Sequence, residues 1–344
     1  MTKSIFTFII AVSFLLTACG SNKNSTSSSV QTDNPSEPKS PPTDGDGSDN
    51  KNALKVCFSE TSEGTTCFKT FDLNDVNNAE KKYAYMDSFN DPKFPKGLDK
   101  WQYRSPINLL FHPEHPTTAK LSENFMRYEL MDANSTRGHY GLFSPLALER
   151  IQQLRNYFGK TMIINSGYRS PAYNASLSGA AQFSRHTFGD AIDFKIPGVS
   201  FSTIAKKCLD MGAAYYQIYQ AHVHCDWRTQ PLNETIFGKD LRPTFHQQSF
   251  NDITKVLSQN IVIIASKTSS ISPFSLRSNI RLSAEFIEQE DAGELMYEWD
   301  IVSNGKTIAT SNKEQPLFQL KKGAYQIFVK IGGSLSQQST LTVQ

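Results

Sequence analysis

Two short stretches constrain this chain more than anything else in it. Ser184-Arg185-His186-Thr187-Phe188-Gly189-Asp190-Ala191-Ile192-Asp193 offers an imidazole and a carboxylate seven residues apart. About thirty residues on, His222-Val223-His224-Cys225-Asp226-Trp227 offers two imidazoles at i and i+2. Two histidines and one carboxylate around Zn²⁺ leave a fourth tetrahedral position open for water, the arrangement of a catalytic zinc site. In a strand, residues i and i+2 point to one face, so His222 and His224 look into the same cleft and only one of them is needed as a ligand. The other stands about one side chain from a metal-bound water, within reach of its proton.

The elements that would carry these residues can be read nearby. Ser144-Pro145 opens a helix, with Ser at the N-cap and Pro at the first position. Leu146, Leu148, Ile151, Leu154 and Phe158 give it an apolar face, and Gly159 closes it. Met162 to Asn165 reads as a buried strand, and Ser166-Gly167-Tyr168-Arg169-Ser170-Pro171 as the turn leaving it, which delivers Arg169 to the cleft. Arginine is favoured where a planar carboxylate is recognised. Ala191 to Phe194 is a strand, Phe201 to Met211 a helix, and Ala214 to Tyr219 and Ala221 to Asp226 two more strands. Short strands joined tightly predict an α+β domain with a small antiparallel sheet and flanking helices. Before it, residues 54–71 alternate about a Ser62-Glu63-Gly64 turn and predict a β-hairpin, a small strand addition. Residues 72–118 carry five prolines and read as irregular chain wrapped on a core. Within them, His112 and His115 in His-Pro-Glu-His read as a surface turn in preference to a second metal site.

After about residue 240 the texture changes. Seven short strands follow, Ile261–Ala265, Ile280–Phe286, Met296–Ile301, Thr307–Thr310, Leu317–Leu320, Tyr325–Ile331 and Thr340–Val343, separated by turn residues. That spacing predicts an all-β sandwich of immunoglobulin type over residues 255–344. Tyr297-Glu298-Trp299-Asp300, Asn304-Gly305 and Gly323-Ala324-Tyr325 resemble polycystic-kidney-disease-type sandwich domains, with Trp299 as the core tryptophan.

The N-terminus carries an address. Lys3 and the apolar run Ile5 to Leu16 read as a signal segment too short to span a bilayer comfortably. Residues 1–19 end in Leu16-Thr17-Ala18-Cys19, which resembles the lipobox of bacterial lipoproteins and implies a membrane attachment through acylated Cys19. Ser21, in place of Asp, follows; in a Gram-negative host this favours the outer membrane, facing the periplasm. Residues 20–52 hold Val30 as their one apolar residue and read as a disordered tether of roughly 30 Å root-mean-square span. The zinc domain with its hairpin then spans 53–240. Four further cysteines remain, and an even count in an exported chain reads as two disulfides. Three pairings are possible; the sequence-local one, Cys57–Cys67 and Cys208–Cys225, is expected here. The net charge of +2 and the lack of a basic stripe predict no nucleic-acid partner.

Taken together, Ser166-Gly167-Tyr168-Arg169-Ser170, Gly179, the Ser-x-His-x-x-Gly-x-Ala-x-Asp of residues 184–193 and His222-x-His224-x-Asp226 resemble the zinc D-alanyl-D-alanine carboxypeptidases, a group with lysostaphin-type endopeptidases and the hedgehog domain. The resemblance covers about residues 121–230. It implies that His186, Asp193 and His224 hold Zn²⁺, and that His222 faces the metal water without ligating it. It further implies that Arg169 holds a substrate carboxylate or carbonyl, with Tyr168, Gln182 and Ser184 lining the cleft. The implied substrate is a peptidoglycan stem peptide and the implied reaction D,D-carboxypeptidase hydrolysis. An endopeptidase cutting cross-links, and a non-catalytic lipid-anchored wall-binding module, are the alternatives.

Overall fold

The computed structural model describes residues 54–58, 64–131, 138–242, 247–268, 277–285 and 293–344. The signal segment and the tether lie outside the described residues, as does most of the hairpin turn. Among the described residues the chain is α+β, and none of its helices is long and apolar enough to cross a membrane.

Strands β1 (Lys55–Cys57) and β2 (Cys67–Asp72) pair antiparallel with Cys57 opposite Cys67, and a disulfide joins those two residues. β2 leads into α1 (Leu73–Glu80), where Asp72 accepts from the Asn74 N–H. β3 (Asn108–Phe111) then returns to pair with β2. The short β4 (Lys120–Ser122) and β5 (Phe125–Met126) pair with each other and lead into α2 (Arg127–Leu130). β6 (Tyr140–Gly141) completes a sheet of order β1-β2-β3-β6. Two expectations are corrected here. The hairpin is half of a four-stranded sheet, and residues 72–118 hold a helix and a strand within their irregular chain. α1 escapes the eye because Val76 is its one buried residue, so it has no periodic apolar stripe. β3 is too short to show alternation.

The second sheet is built as its sequence predicts. Helix α3 (Pro145–Phe158) is capped by Ser144, whose hydroxyl accepts from the Ala147 N–H, and ends at Gly159 in the left-handed region. β7 (Ile163–Ser166), α4 (Pro171–Ser176), a 3₁₀ turn at Arg185–Phe188, β8 (Ala191–Lys195), α5 (Phe201–Asp210), β9 (Tyr215–Ile218) and β10 (Val223–Asp226) follow. The strands lie in the order β7-β8-β10-β9, all antiparallel. Ile192, Phe194, Val223 and Cys225 are fully buried, and α5 packs on β9 and β10. The Cys208–Cys225 disulfide ties α5 to β10. Alternation along the strands turns Asp193 and His224 to the opposite face.

Short α6 (Glu234–Phe237) and α7 (Phe250–Ser258) lead to the C-terminal part. There β11 (Val262–Lys267), β12 (Arg277–Glu285), β13 (Tyr297–Ser303), β14 (Lys306–Ser311), β15 (Leu317–Lys321), β16 (Gly323–Ile331) and β17 (Leu335–Val343) form two antiparallel sheets, β11-β12-β15 and β14-β13-β16-β17. All seven strands read from the sequence are present. Trp299 is buried at their core with Ile301, Phe318, Ile327 and Val329. Helix α7 packs against both β9 and β17, so residue 255 falls inside an element that joins the sandwich to the second sheet.

Candidate metal centre and its cleft

Asp193 and His224 face each other directly across the β8–β10 ladder, which places both side chains on one face. His186 arrives from the 3₁₀ turn. Ser184 caps that turn, and Gly189 ends it at φ 68° in the left-handed region. A Cβ at Gly189 would stand 2.2 Å from Leu142 Cδ1, so glycine is required there by both backbone and space. Arg185, fully buried, pins the turn: it is ion-paired with Asp190, donates to the Gln102 carbonyl at 2.6 Å and lies over the rings of Tyr103 and Phe188.

The result is a buried triangle of donor atoms. His186 Nε2 lies 3.0 Å from Asp193 Oδ2, His224 Nδ1 lies 2.9 Å from Asp193 Oδ1, and the two ring nitrogens are 3.1 Å apart. Three ligands at zinc's bond lengths in tetrahedral array stand roughly 3.3 Å apart, so this spacing suits a metal ion of that size. The protonation pattern suits it too. His186 Nδ1 donates to the Gly167 carbonyl at 2.7 Å, and Asp226 Oδ2 lies 3.1 Å from His224 Nε2, on the far side of each ring. Both histidines thereby turn a lone pair inward, toward a carboxylate; a cation between them satisfies all three. His186, Asp193 and His224 are the one group of this kind among the described residues. Gly167 has to be glycine, because a Cβ there would stand 2.3 Å from the Leu130 carbonyl oxygen.

The electrostatics favour ionised acids. Burial pushes the Asp193 carboxyl up, but His186, His224 and Arg169 around it together hold it well below the usual carboxylate range. Burial acts in the same sense on Asp226, and Arg228 outweighs it. The guanidinium donates to Asp226 Oδ1 through Nε at 2.8 Å and to Oδ2 through an Nη, and also reaches Tyr103 Oη at 2.9 Å. Asp226 stands in the His222-x-His224-x-Asp226 motif without a role of its own there, and Arg228 is not singled out by the sequence. The available signal is the period of two: Asp226 follows His224 on the same strand face.

Beside the triangle, reached through Arg169 and His222, lies a cleft of about 540 Å³ lined among others by Ser166, Arg169, Tyr173, Tyr219 and His222. Arg169 donates through Nε to Ser166 Oγ at 2.8 Å and through an Nη to Asp193 Oδ2 at 2.6 Å. His222 stacks on Tyr219 with ring centroids 4.6 Å apart, and its Nε2 stands 4.0 Å from Asp193 Oδ1, beside the triangle but outside it. Three residues expected in the cleft are elsewhere. Tyr168 is buried behind the site with its hydroxyl 3.0 Å from that of Tyr85. Ser184 is fully buried as the cap of the 3₁₀ turn. Gln182 donates to Asp91 at 2.7 Å on a separate surface. Ser184 thus supports the turn that bears His186 without facing the cleft. His112 differs from the expected surface turn as well: it is buried beside Phe68 and Tyr168, while His115 Nε2 donates to the Cys67 carbonyl.

Two histidines and a carboxylate gathered from an antiparallel sheet and the turn before it, with a basic group and a further histidine beside them, have the make-up of a metallopeptidase centre. Comparison with known proteins agrees. Residues 123–226, which contain every member of the triangle together with Arg169 and His222, match the Peptidase M15 family. Peptidoglycan L,D-endopeptidase MepK of Escherichia coli strain K12 is 35% identical over 107 residues, 28% of this chain and 55% of that protein. The protein of the same name from Shigella flexneri is similar to the same extent. The chain spans about half the length of the curated relatives it matches.

Proposed function

We propose that this chain is a zinc-dependent peptidase that cleaves peptidoglycan stem peptides, and that it does so as an endopeptidase. The observation that carries the reading is the buried His186–Asp193–His224 triangle beside a cleft whose wall holds Arg169 and His222, both next to Asp193. A bound zinc ion supplies Lewis acidity toward the scissile carbonyl and a water of lowered pKa. The chain's own groups do the rest. His222, unlike the ligands, lies on the cleft wall and takes or returns the proton at its ring nitrogen. Arg169, fixed by Ser166 and Asp193, presents a guanidinium to the substrate's carbonyl or carboxylate. Tyr219, stacked on His222, holds that ring in place.

Two things favour the endopeptidase over the D,D-carboxypeptidase. The relatives are named as L,D-endopeptidases. The cleft also runs on, sharing Gln220, Gly293 and Glu294 with a second groove of about 700 Å³, which leaves room for chain on both sides of the cut. The carboxypeptidase reading rests on Arg169 as a clamp for a terminal carboxylate. A lipid anchor at Cys19, with residues 20–52 as a tether, would hold the enzyme at the envelope membrane, at the outer membrane facing the periplasm in a Gram-negative host. The polycystic-kidney-disease-type character of the sandwich is part of the same proposal. Mass analysis of muropeptides after incubation with the protein, with and without a chelator, tests the reaction. Release of stem-peptide fragments that the chelator abolishes is expected, and a single lost D-alanine would assign the carboxypeptidase instead. Peptides left intact with zinc bound would contradict catalysis and favour the wall-binding module.

A further inference from the structure

β9 is the edge strand of the sheet that carries the metal triangle, and its outer edge is paired by the C-terminal sandwich. Ile218 N donates to the Gly332 carbonyl at 2.8 Å, Met296 N to the Ile218 carbonyl at 3.1 Å and Gln220 N to the Glu294 carbonyl at 2.8 Å, with Tyr219 and Leu295 bridged. Leu295 is buried in this junction, while Glu294 and Met296 on either side of it are exposed, the alternation of an extended segment. This pairing brings Gly293 and Glu294 into the wall of the catalytic cleft. Gly293 lies over the Tyr219–His222 stack: a Cβ there would be 3.3 Å from Tyr219 Cδ1 and 3.7 Å from His222 Cε1. Both residues lie outside the segment that matches Peptidase M15.

Resting on the peptidase reading above, we infer that the sandwich forms part of the substrate site and that Glu294 selects peptides bearing a side-chain ammonium next to the cleaved bond. Among the described residues the cleft wall holds one cation, Arg169, already engaged by Asp193, and one acid, Glu294, whose carboxylate forms no hydrogen bond or ion pair with them. In the adjoining groove Glu294 and Glu314 outnumber Lys313. A substrate cation is therefore drawn to the Glu294 end, and a stem peptide supplies one when its diamino acid has a free amine.

The test uses two stem peptides of one sequence, one with the diamino acid's amine free and one with it acetylated. Calorimetric titration into full-length His222→Ala protein measures Kd without turnover. The free-amine peptide should bind about fivefold tighter, the upper end for an ion pair in contact with solvent, and the preference should shrink as salt rises. Adding Glu294→Gln should bring the ratio near one, and Glu294→Lys should invert it. A ratio near one with Glu294 present, a ratio untouched by Glu294→Gln, or failure to bind either peptide would overturn the inference. Absence of hydrolysis by the wild-type protein sinks the peptidase reading instead, and the Kd ratio still decides the role of Glu294.

Discussion

Asp226 Oδ2 lies 3.1 Å from His224 Nε2, and in the proposed site it would fix the ring of that ligand. Asp226→Asn keeps the shape and removes the charge, and it should weaken metal affinity by about 10–100-fold, read by competition with a chromophoric chelator. An unchanged affinity would show that Arg228 and Asp226 serve packing alone. His112 makes a second residue-scale prediction. Burial foremost, then the charges of Arg127 and His139, push its pKa down to about 3 from 6.5. The unfolded chain thus takes up a proton below pH 6.5 that the folded protein refuses. Stability from this site is complete above about 6.5 and falls by about 1.4 kcal/mol per pH unit below it, until about 3. Urea unfolding at pH 7 and pH 5 should therefore show His112→Leu losing about 2 kcal/mol less than wild type between the two. Equal losses would mean that His112 titrates normally when folded. The sequence displays both residues but not these roles. Asp226 is legible from the strand period, whereas the burial of His112 depends on β2 and β6, which lie far from it along the chain.

At the scale of elements, legibility follows periodicity and caps. α3 declares itself through Ser144 and Gly159, α3 and α5 through their apolar faces, and β8 and β10 through their apolar alternation about Asp193 and His224. α1 does not, because Val76 is its one buried residue, and β3 does not, because four residues are too few to show alternation. The sequence-local disulfide pairing is the one that forms, and Cys208–Cys225 joins α5 to the strand bearing His224. Closing that 17-residue separation should contribute about 3 kcal/mol. Replacing both cysteines by alanine should lower unfolding stability by about that amount in denaturant titration. A loss well under 1 kcal/mol would mean that the reduced chain is already held by the packing of α5.

For the whole molecule, the sequence marks two folded parts but not their union. Pairing of β9 with residues 294–296 joins segments about eighty residues apart, and no local signal announces it. The sandwich reads as an appendage in sequence and stands as a wall of the cleft in space. The N-terminal address makes its own prediction: Cys19→Ser should release the protein from the membrane fraction into the exported soluble fraction, and retention would contradict acylation. The central claim, that the triangle binds the metal and His222 works beside it, is tested most directly by measuring zinc content alongside muropeptide cleavage in three variants. His224→Ala should lose zinc and activity together. His222→Ala should keep zinc and lose activity by about 10²–10⁴, and Arg169→Ala should keep zinc while binding substrate more weakly. Zinc lost from His222→Ala and kept in His224→Ala would contradict the assignment of the two histidines, and full activity in both would place the chemistry outside this cleft.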